Sequence, residues 1–156
     1  MRTLLSTALI ALAVTAVAAF GADNTLGTWK LEVAKSKYTP GPLPIKSLTI
    51  TREASDGGVK QTTTGERSDG TTVNASYTAK YDGKDVHVGG NSQYDTIAIK
   101  QVNANTLTDE RKKTGGPYKA TGRTVVSNGG KTMTTTTTGI NADGKEFTQI
   151  LVLDKQ

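Results

Sequence analysis

One segment of the chain alternates strictly between apolar and polar side chains, and this alternation constrains the fold more than any other feature of the sequence. Its apolar positions are Val73, Ala75, Tyr77, Ala79 and Tyr81. Because successive side chains of a strand point to opposite faces, a period of two over this length predicts a β-strand with one buried face. The run ends at Asp82-Gly83, a dipeptide typical of two-residue hairpins, so residues 84–88 are predicted to return as its partner strand.

Runs rich in Thr, Val and Ile continue along the rest of the chain and are separated by glycine-containing turns. With the two strands above they make ten predicted strands; the other eight are residues 29–33, 47–53, 59–66, 94–102, 106–113, 118–127, 132–139 and 146–153. None of these runs has the apolar spacing of an amphipathic helix. Short strands at regular spacing predict an all-β fold, an antiparallel up-and-down β-barrel of about eight to ten strands.

The apolar content limits how the interior of such a barrel can be filled. Residues 23–156 include 38 apolar side chains, of which 8 are alanine. Ten strands of about eight residues would point roughly forty side chains inward. Large apolar groups therefore cannot fill the inner face. Two outcomes fit this count: a barrel flattened onto a modest core, or a roomy, partly hydrated barrel, which the count favours because unpartnered polar groups are costly in a dry core.

The first 22 residues differ from the rest and have the pattern of a secretory signal peptide. Arg2 gives a positive start, residues 4–17 are apolar and uncharged, and small residues follow. The apolar run is short for a membrane span. We therefore expect residues 1–22 to be a signal peptide, residues 23–156 to form a single barrel domain, and the protein to be exported to the periplasm or secreted.

Composition argues against several functional classes. The chain has no cysteine and one histidine, His87, which excludes disulfides and thiolate chemistry and makes a zinc enzyme a poor fit. No nucleophile-elbow or phosphate-loop motif is present. A net charge of +5 is too small to indicate a nucleic-acid partner. The polar outward faces of the strands do not fit a lipid-facing barrel. We expect a monomer without enzymatic activity, cofactor, metal or stable membrane insertion.

Two strands near the middle of the chain contain charged residues whose direction matters. Asp109-Glu110 followed by Arg111-Lys112-Lys113 is predicted to be a solvated strand end. In the strand at residues 118–127, one face is more apolar than the face of Arg123. This difference between the two faces favours an Arg123 side chain that points outward. The alternative is an Arg123 side chain that points inward and binds an anion. The more apolar face consists of Tyr118, Ala120, Gly122, Thr124 and Val126.

The segment Gly27-Thr28-Trp29-Lys30-Leu31 resembles the opening of the calycin proteins, which are the lipocalins and the intracellular lipid-binding proteins. Turns at residues 81–84 and 129–132 are also similar to those of small exported bacterial proteins described as lipocalin-like. The resemblance implies a calycin-like barrel in which Trp29 is a structural plug that closes one end.

Two features of the sequence depart from the lipid-binding branch of that family. That branch has a helical lid between its first two strands, whereas residues 33–44 are short and proline-rich here. Its Arg-x-Tyr motif for fatty-acid carboxylates is missing from residues 150–153, which read Ile-Leu-Val-Leu. The resemblance therefore implies the barrel and the role of Trp29, and no ligand contact.

The predicted function is non-enzymatic binding of a small apolar or amphipathic ligand inside the barrel. Large side chains on the predicted inner faces are the candidate ligand-binding residues: Tyr77, Tyr81, Ile97, Ile99, Tyr118, Met133 and Phe147. The alternative is a periplasmic protein-binding module such as a protease inhibitor. In that case residues 21–26 or the proline-rich loop would act as the plug.

If residues 1–22 are a signal peptide, exported protein purified from its own host begins near residues 20–23. Intact-mass measurement and N-terminal sequencing determine this start directly. Exported protein that still carries Met1 would contradict the assignment.

Overall fold

One antiparallel sheet curves around a central interior, and most of its strands pair with their neighbours in the sequence. The computed structural model describes residues 21–90 and 93–156, so the predicted signal peptide lies outside the described residues except for positions 21 and 22. The twelve strands are β1 (Gly27–Leu31), β2 (Lys37–Thr39), β3 (Ile45–Ser55), β4 (Gly58–Arg67), β5 (Thr72–Lys80), β6 (Val86–His87), β7 (Gly89–Gly90), β8 (Thr96–Asn103), β9 (Thr106–Lys112), β10 (Lys119–Ser127), β11 (Thr132–Ile140) and β12 (Glu146–Lys155).

The strand order makes the sheet a nearly closed up-and-down barrel. Along the sheet the strands follow the order β6-β8-β9-β10-β11-β12-β1-β3-β4-β5-β7, and β2 pairs with β12. The last long strand pairs with the first, with Trp29 opposite Lys155 and Leu31 opposite Leu153. The predicted fold class is confirmed. The strand count is higher than the predicted eight to ten because β2 and β7 are additional strands of three and two residues. The described residues contain no α-helix.

The barrel is completed between β5 and β8 by one short segment that pairs with each of them in turn. Val86 in β6 lies opposite Ile97 of β8, whereas Gly90 in β7 lies opposite Ala75 of β5. The hairpin predicted at Asp82-Gly83 was therefore wrong. The turn forms, but the chain after it joins β8 instead of returning along β5.

Contacts made by the turn itself explain this change of partner. The Asp82 carboxylate accepts a hydrogen bond from the Lys84 amide at 3.0 Å, which bends the chain locally. The Gly83 amide donates to the Ile99 carbonyl of β8 at 3.0 Å. The first bond shapes the turn, and the second holds it against β8.

The proline-rich interval between β1 and β3 contains a 3₁₀ turn and a short strand. A 3₁₀ turn at Val33–Lys35 leads into β2, which pairs with β12 through Tyr38 and Gln149. Residues 40–44 then cross to β3. Consequently both β1 and β2 lie along β12, and the interval forms no helical lid.

The buried side chains come mostly from one face of each strand. On β5, Val73, Tyr77 and Ala79 are buried, as the alternation predicts. On β10 the face of Ala120, Thr124 and Val126 is buried and Arg123 is exposed, which decides the open question about this strand. The antiparallel directions define two ends. The upper end contains the turns at residues 67–72, 112–119 and 140–146, and the lower end contains those at 55–58, 103–106 and 127–132.

Trp29 is fully buried in an apolar cluster of the interior that includes Leu31, Met133 and Leu153. Its indole Nε1 donates to the Thr25 carbonyl at 2.8 Å, so its polar atom is satisfied. The Lys155 ammonium lies 5.2 Å from the centre of the indole ring. Trp29 therefore connects the N-terminal segment, β1 and the end of β12.

We expect Trp29→Ala to lower the free energy of unfolding by about 3–5 kcal/mol, because it deletes a buried aromatic side chain and leaves a cavity. Urea unfolding measures this loss. Val102→Ala is the control, since Val102 is 56% exposed, and its effect is expected to stay within about 0.5 kcal/mol. Native tryptophan emission is expected to be blue-shifted and protected from acrylamide. Free quenching, or an unchanged urea midpoint for Trp29→Ala, would contradict a structural role.

Candidate functional site

The barrel interior contains a partly open cavity of about 140 Å³ between β3, β4 and β5 on one side and β8 to β12 on the other. This volume is close to the ~150 Å³ of an apolar cavity that accepts a benzene-sized molecule. Its apolar lining includes Leu48, Ile50, Val73, Leu107, Met133 and Leu151. Its polar lining includes Arg52, Gln61, Asp109, Arg111, Thr124 and Thr135.

A row of hydrogen-bonded polar side chains crosses three neighbouring strands on the cavity wall. Arg52, Gln61 and Tyr77 lie opposite one another on β3, β4 and β5. Arg52 Nη1 and the Tyr77 hydroxyl, the latter at 2.9 Å, both donate to the Gln61 carbonyl oxygen. The Gln61 amide nitrogen donates to Thr63 Oγ1 at 3.2 Å. Burial raises the pKa of Tyr77, so this phenol remains a neutral donor.

The guanidinium of Arg52 is only partly satisfied by this row. Its side chain is buried, with the residue 6% exposed. Nε and Nη2 are fully buried and meet no acceptor with hydrogen-bond geometry in residues 21–90 and 93–156, although the Tyr81 hydroxyl lies beside the guanidinium. Burial lowers the pKa of Arg52, but Tyr77, Tyr81 and Asp23 outweigh that effect, so its pKa lies above the ordinary value. Arg52 is therefore a buried, permanent cation.

A second charged pair lies on β9 at the opposite wall. Asp109 and Arg111 lie on the same face of the strand. The Arg111 guanidinium donates two hydrogen bonds to the Asp109 carboxylate, from Nε to Oδ1 at 2.6 Å and from Nη2 to Oδ2 at 3.1 Å. The Arg111 guanidinium carbon also lies 5.3 Å from the centre of the Tyr94 ring. Desolvation lowers the pKa of Arg111, but Asp109 and Tyr94 raise it well above the ordinary value. Arg111 is therefore a permanent cation that is paired with the Asp109 carboxylate.

A glycine on the neighbouring strand makes room for this pair. Gly122 of β10 lies opposite Asp109. A Cβ atom at position 122 would overlap the Asp109 carboxylate. The absence of a side chain at Gly122 therefore allows the carboxylate to turn inward.

Four aromatic rings stack in a row near the upper end of the barrel. Successive ring centres, from Tyr38 to Phe147, Tyr118 and Tyr94, are each 5.8 Å apart. Tyr94 and Tyr118 also line the cavity. Burial raises the pKa of Tyr118 to about 12. The row gives this end of the cavity an aromatic wall.

The N-terminal segment covers the lower end of the barrel. The Asp23 carboxylate accepts hydrogen bonds from the Thr25 amide at 2.9 Å, from the Thr25 hydroxyl at 2.6 Å and from the Tyr81 hydroxyl. The Asn24 amide donates to the Ala104 carbonyl at 2.8 Å. Burial and the bond to Asp23 raise the pKa of Tyr81 to about 12. Residues 21–26, which the alternative function would use as a plug for a partner protein, are thus hydrogen-bonded to their own barrel.

The structure brings together four of the seven predicted ligand-binding residues. Tyr77, Ile99, Tyr118 and Met133 line the cavity. The other three do not: Ile97 is buried in the core, the Tyr81 hydroxyl donates to Asp23, and the Phe147 ring packs at a tilt against Tyr118. Trp29 also lies outside the lining.

Sequence reasoning missed the charged residues of the site. The prediction that Asp109 and Arg111 belong to a solvated strand end was wrong, because their side chains are only 7% and 16% exposed. Both residues are in phase with the buried Leu107, and Arg52 is in phase with the buried Leu48. This period-two spacing from buried apolar residues was the signal that could have identified them. It was overlooked because charged residues are usually exposed.

Comparisons with known proteins leave the cavity as the basis for assigning a function. No protein-family model matches the chain, and no curated protein matches it. Within the described residues there is no group of three or more side chains arranged to hold a metal ion. None of the helical structure in that part of the chain is long and apolar enough to cross a membrane.

We expect Asp109→Asn to destabilise the protein by about 3–5 kcal/mol, because it leaves the buried Arg111 cation without its partner. Glu110→Gln changes the exposed neighbour on the outer face and is expected to stay within about 0.5 kcal/mol. The double variant Asp109→Asn/Arg111→Met removes both charges and is expected to recover much of the loss. Urea midpoints compare the three; equal midpoints for Asp109→Asn and Glu110→Gln would show that the pair contributes nothing.

Proposed function

We propose that this chain is an exported, non-enzymatic binding protein that holds a small apolar or amphipathic ligand inside its barrel. The observation that carries the proposal is the interior cavity of about 140 Å³. Its wall combines apolar side chains from many strands with a few convergent polar groups, which is typical of small-molecule sites.

The polar groups of the cavity support binding more than catalysis. Asp109 is held by Arg111, and the Tyr77 hydroxyl is committed to Gln61. The pKa values of Tyr77, Arg52 and Arg111 all lie above their ordinary values. General acid–base catalysis works best with a group whose pKa lies near the working pH, and these groups lie far from neutrality.

We further propose that the protein belongs with the calycin-like barrels and that residues 1–22 direct its export. The nearly closed antiparallel barrel is compatible with that fold. The Gly27-Thr28-Trp29 opening lies on β1, and the full burial of Trp29 outside the cavity lining supports its role as a structural plug. The charge-free apolar start of the chain supports export.

Native mass spectrometry of protein purified from its own host tests the binding proposal. We expect one small molecule per chain, retained under native conditions and released on denaturation. A protein partner at fixed stoichiometry would instead favour the inhibitor alternative. If no compound is retained and the emptied protein takes up no apolar dye, the proposal is wrong.

A matched pair of variants on β5 locates any binding in the barrel. Ala75 lines the cavity, whereas its neighbour Ser76 points outward and is exposed. Ala75→Leu partly fills the cavity and is expected to weaken ligand or dye binding at least tenfold. Ser76→Leu adds similar apolar bulk outside and is expected to leave binding unchanged. Equal effects of the two variants would place the bound molecule elsewhere.

A further inference from the structure

Two threonine hydroxyls face each other on the inner wall of the barrel. Thr124 of β10 lies opposite Thr135 of β11, both side chains line the cavity, and their Oγ1 atoms are 3.0 Å apart. On either side, Leu107 of β9 lies opposite Thr124, and Leu151 of β12 lies opposite Thr135. Both leucines also line the cavity. The hydroxyl pair is therefore a small polar spot within an apolar stretch of the wall.

This pair has one hydrogen-bond donor to spare. Each threonine hydroxyl has one hydrogen and two lone pairs, and the bond between Thr124 and Thr135 uses only one of the two hydrogens. Within residues 21–90 and 93–156, no other hydrogen bond involves either hydroxyl. Thr135 faces the interior but is only half-buried, so the cavity reaches its side chain. Buried donors are normally paired, and the second hydrogen therefore indicates an acceptor on a molecule in the cavity.

The two hydroxyls are not needed to fill the wall. Valine has the same branched shape as threonine, and the next inward residue of β10 is the buried Val126. A hydroxyl in an apolar environment costs free energy unless it is hydrogen-bonded. Valine at positions 124 and 135 would line this stretch of the wall without that cost. The presence of threonine at both positions supports a role in hydrogen bonding to a ligand.

The charged groups around the cavity leave little to attract a charged ligand. Asp109 and Arg111 are bonded to each other at two points. The Nε and Nη2 atoms of Arg52 are fully buried in the wall, so a molecule in the cavity does not reach them. Arg67 lies at the upper end of β4 and is half-buried. Moving an ion from water into such an interior is costly without an opposite charge in contact with it, so the cavity favours an uncharged ligand.

We propose, on the basis of the binding function above, that the ligand is an uncharged molecule of about one ring whose oxygen accepts a hydrogen bond from the Thr124–Thr135 pair. The cavity volume of about 140 Å³ limits its size. Leu107 and Leu151 provide apolar contacts on either side of that oxygen. Small aromatic ketones, ethers and alcohols have this chemistry.

Acetophenone, α-methylstyrene and benzoate test the proposal, because they have the same number of non-hydrogen atoms and nearly the same flat shape. Acetophenone carries a carbonyl oxygen where α-methylstyrene carries a methylene group, and benzoate is charged. Titrations of the purified protein followed by NMR at pH 7 are expected to show acetophenone binding at least tenfold more tightly than benzoate, because the cavity offers no accessible opposite charge.

A matched set of double variants on β10 and β11 separates the inner hydroxyls from outer ones. Thr124→Val/Thr135→Val removes both cavity hydroxyls and is expected to weaken acetophenone binding about five- to tenfold, which corresponds to one lost hydrogen bond. Binding of α-methylstyrene is expected to stay equal or become tighter. Thr121→Val/Thr138→Val changes two exposed threonines that face each other on the outer side of the same strands, and it is expected to change neither affinity.

A third double variant and a stability measurement keep the outcome interpretable. Thr124→Ser/Thr135→Ser retains both hydroxyls without the methyl groups, so it is expected to bind acetophenone more tightly than the inner valine variant does. The urea midpoint of Thr124→Val/Thr135→Val is expected to be equal or higher, because both partners of a buried hydrogen bond are replaced by apolar groups of the same shape.

Three results would overturn the assignment and leave the binding function intact. They are an acetophenone affinity unchanged by the inner valine variant, an equal weakening of acetophenone and α-methylstyrene by that variant, and benzoate binding as tight as that of acetophenone. Failure of all three probes and of an apolar dye to bind would overturn the binding function itself.

Discussion

The pairing of β12 with β1 is the constraint on which the rest of the structure depends, because it joins the two ends of the described chain and turns a sheet into a barrel. It sets Trp29 opposite Lys155 and directs the inner faces of the strands toward one interior. Each of these contacts joins residues far apart in the sequence. Without this pairing, the Arg52 row and the Asp109–Arg111 pair would lie on open faces in water, where neither would be buried.

Closure also explains why the interior tolerates so many polar groups. The chain has too few large apolar side chains to fill the inner face, and threonine, glutamine and arginine occupy part of it. Each buried polar group needs a partner. Gln61 satisfies Arg52 Nη1 and the Tyr77 hydroxyl together, and Asp109 satisfies Arg111. Gly122 makes the second arrangement sterically feasible. The barrel interior thus consists of small groups of hydrogen-bonded polar side chains that are separated by apolar clusters.

The two walls of the cavity differ in how their charges are compensated. On the β9 wall, Asp109 and Arg111 form a salt bridge with each other. On the β3 wall, the buried Arg52 cation donates through Nη1 to the uncharged amide of Gln61. The Asp23 carboxylate, which helps to raise the pKa of Arg52, accepts from Thr25 and from the Tyr81 hydroxyl. One charge is thus compensated on its own strand, whereas the other depends on the N-terminal segment.

The period-two alternation and the turn signals determined the fold class, because the alternation of side chains along a strand can be read from local sequence. Val73, Tyr77 and Ala79 are buried as that period requires. The same local signal placed Arg123 outside and four lining residues inside. Local sequence could not show that the chain after Asp82-Gly83 joins β8, since that choice depends on bonds to Ile99 across the sheet. Local sequence also could not show that Arg52, Asp109 and Arg111 point inward. A charged side chain is stable on the inner face only when it has partners, either on other strands or on the same face of its own strand. Those partners come together only in the tertiary structure.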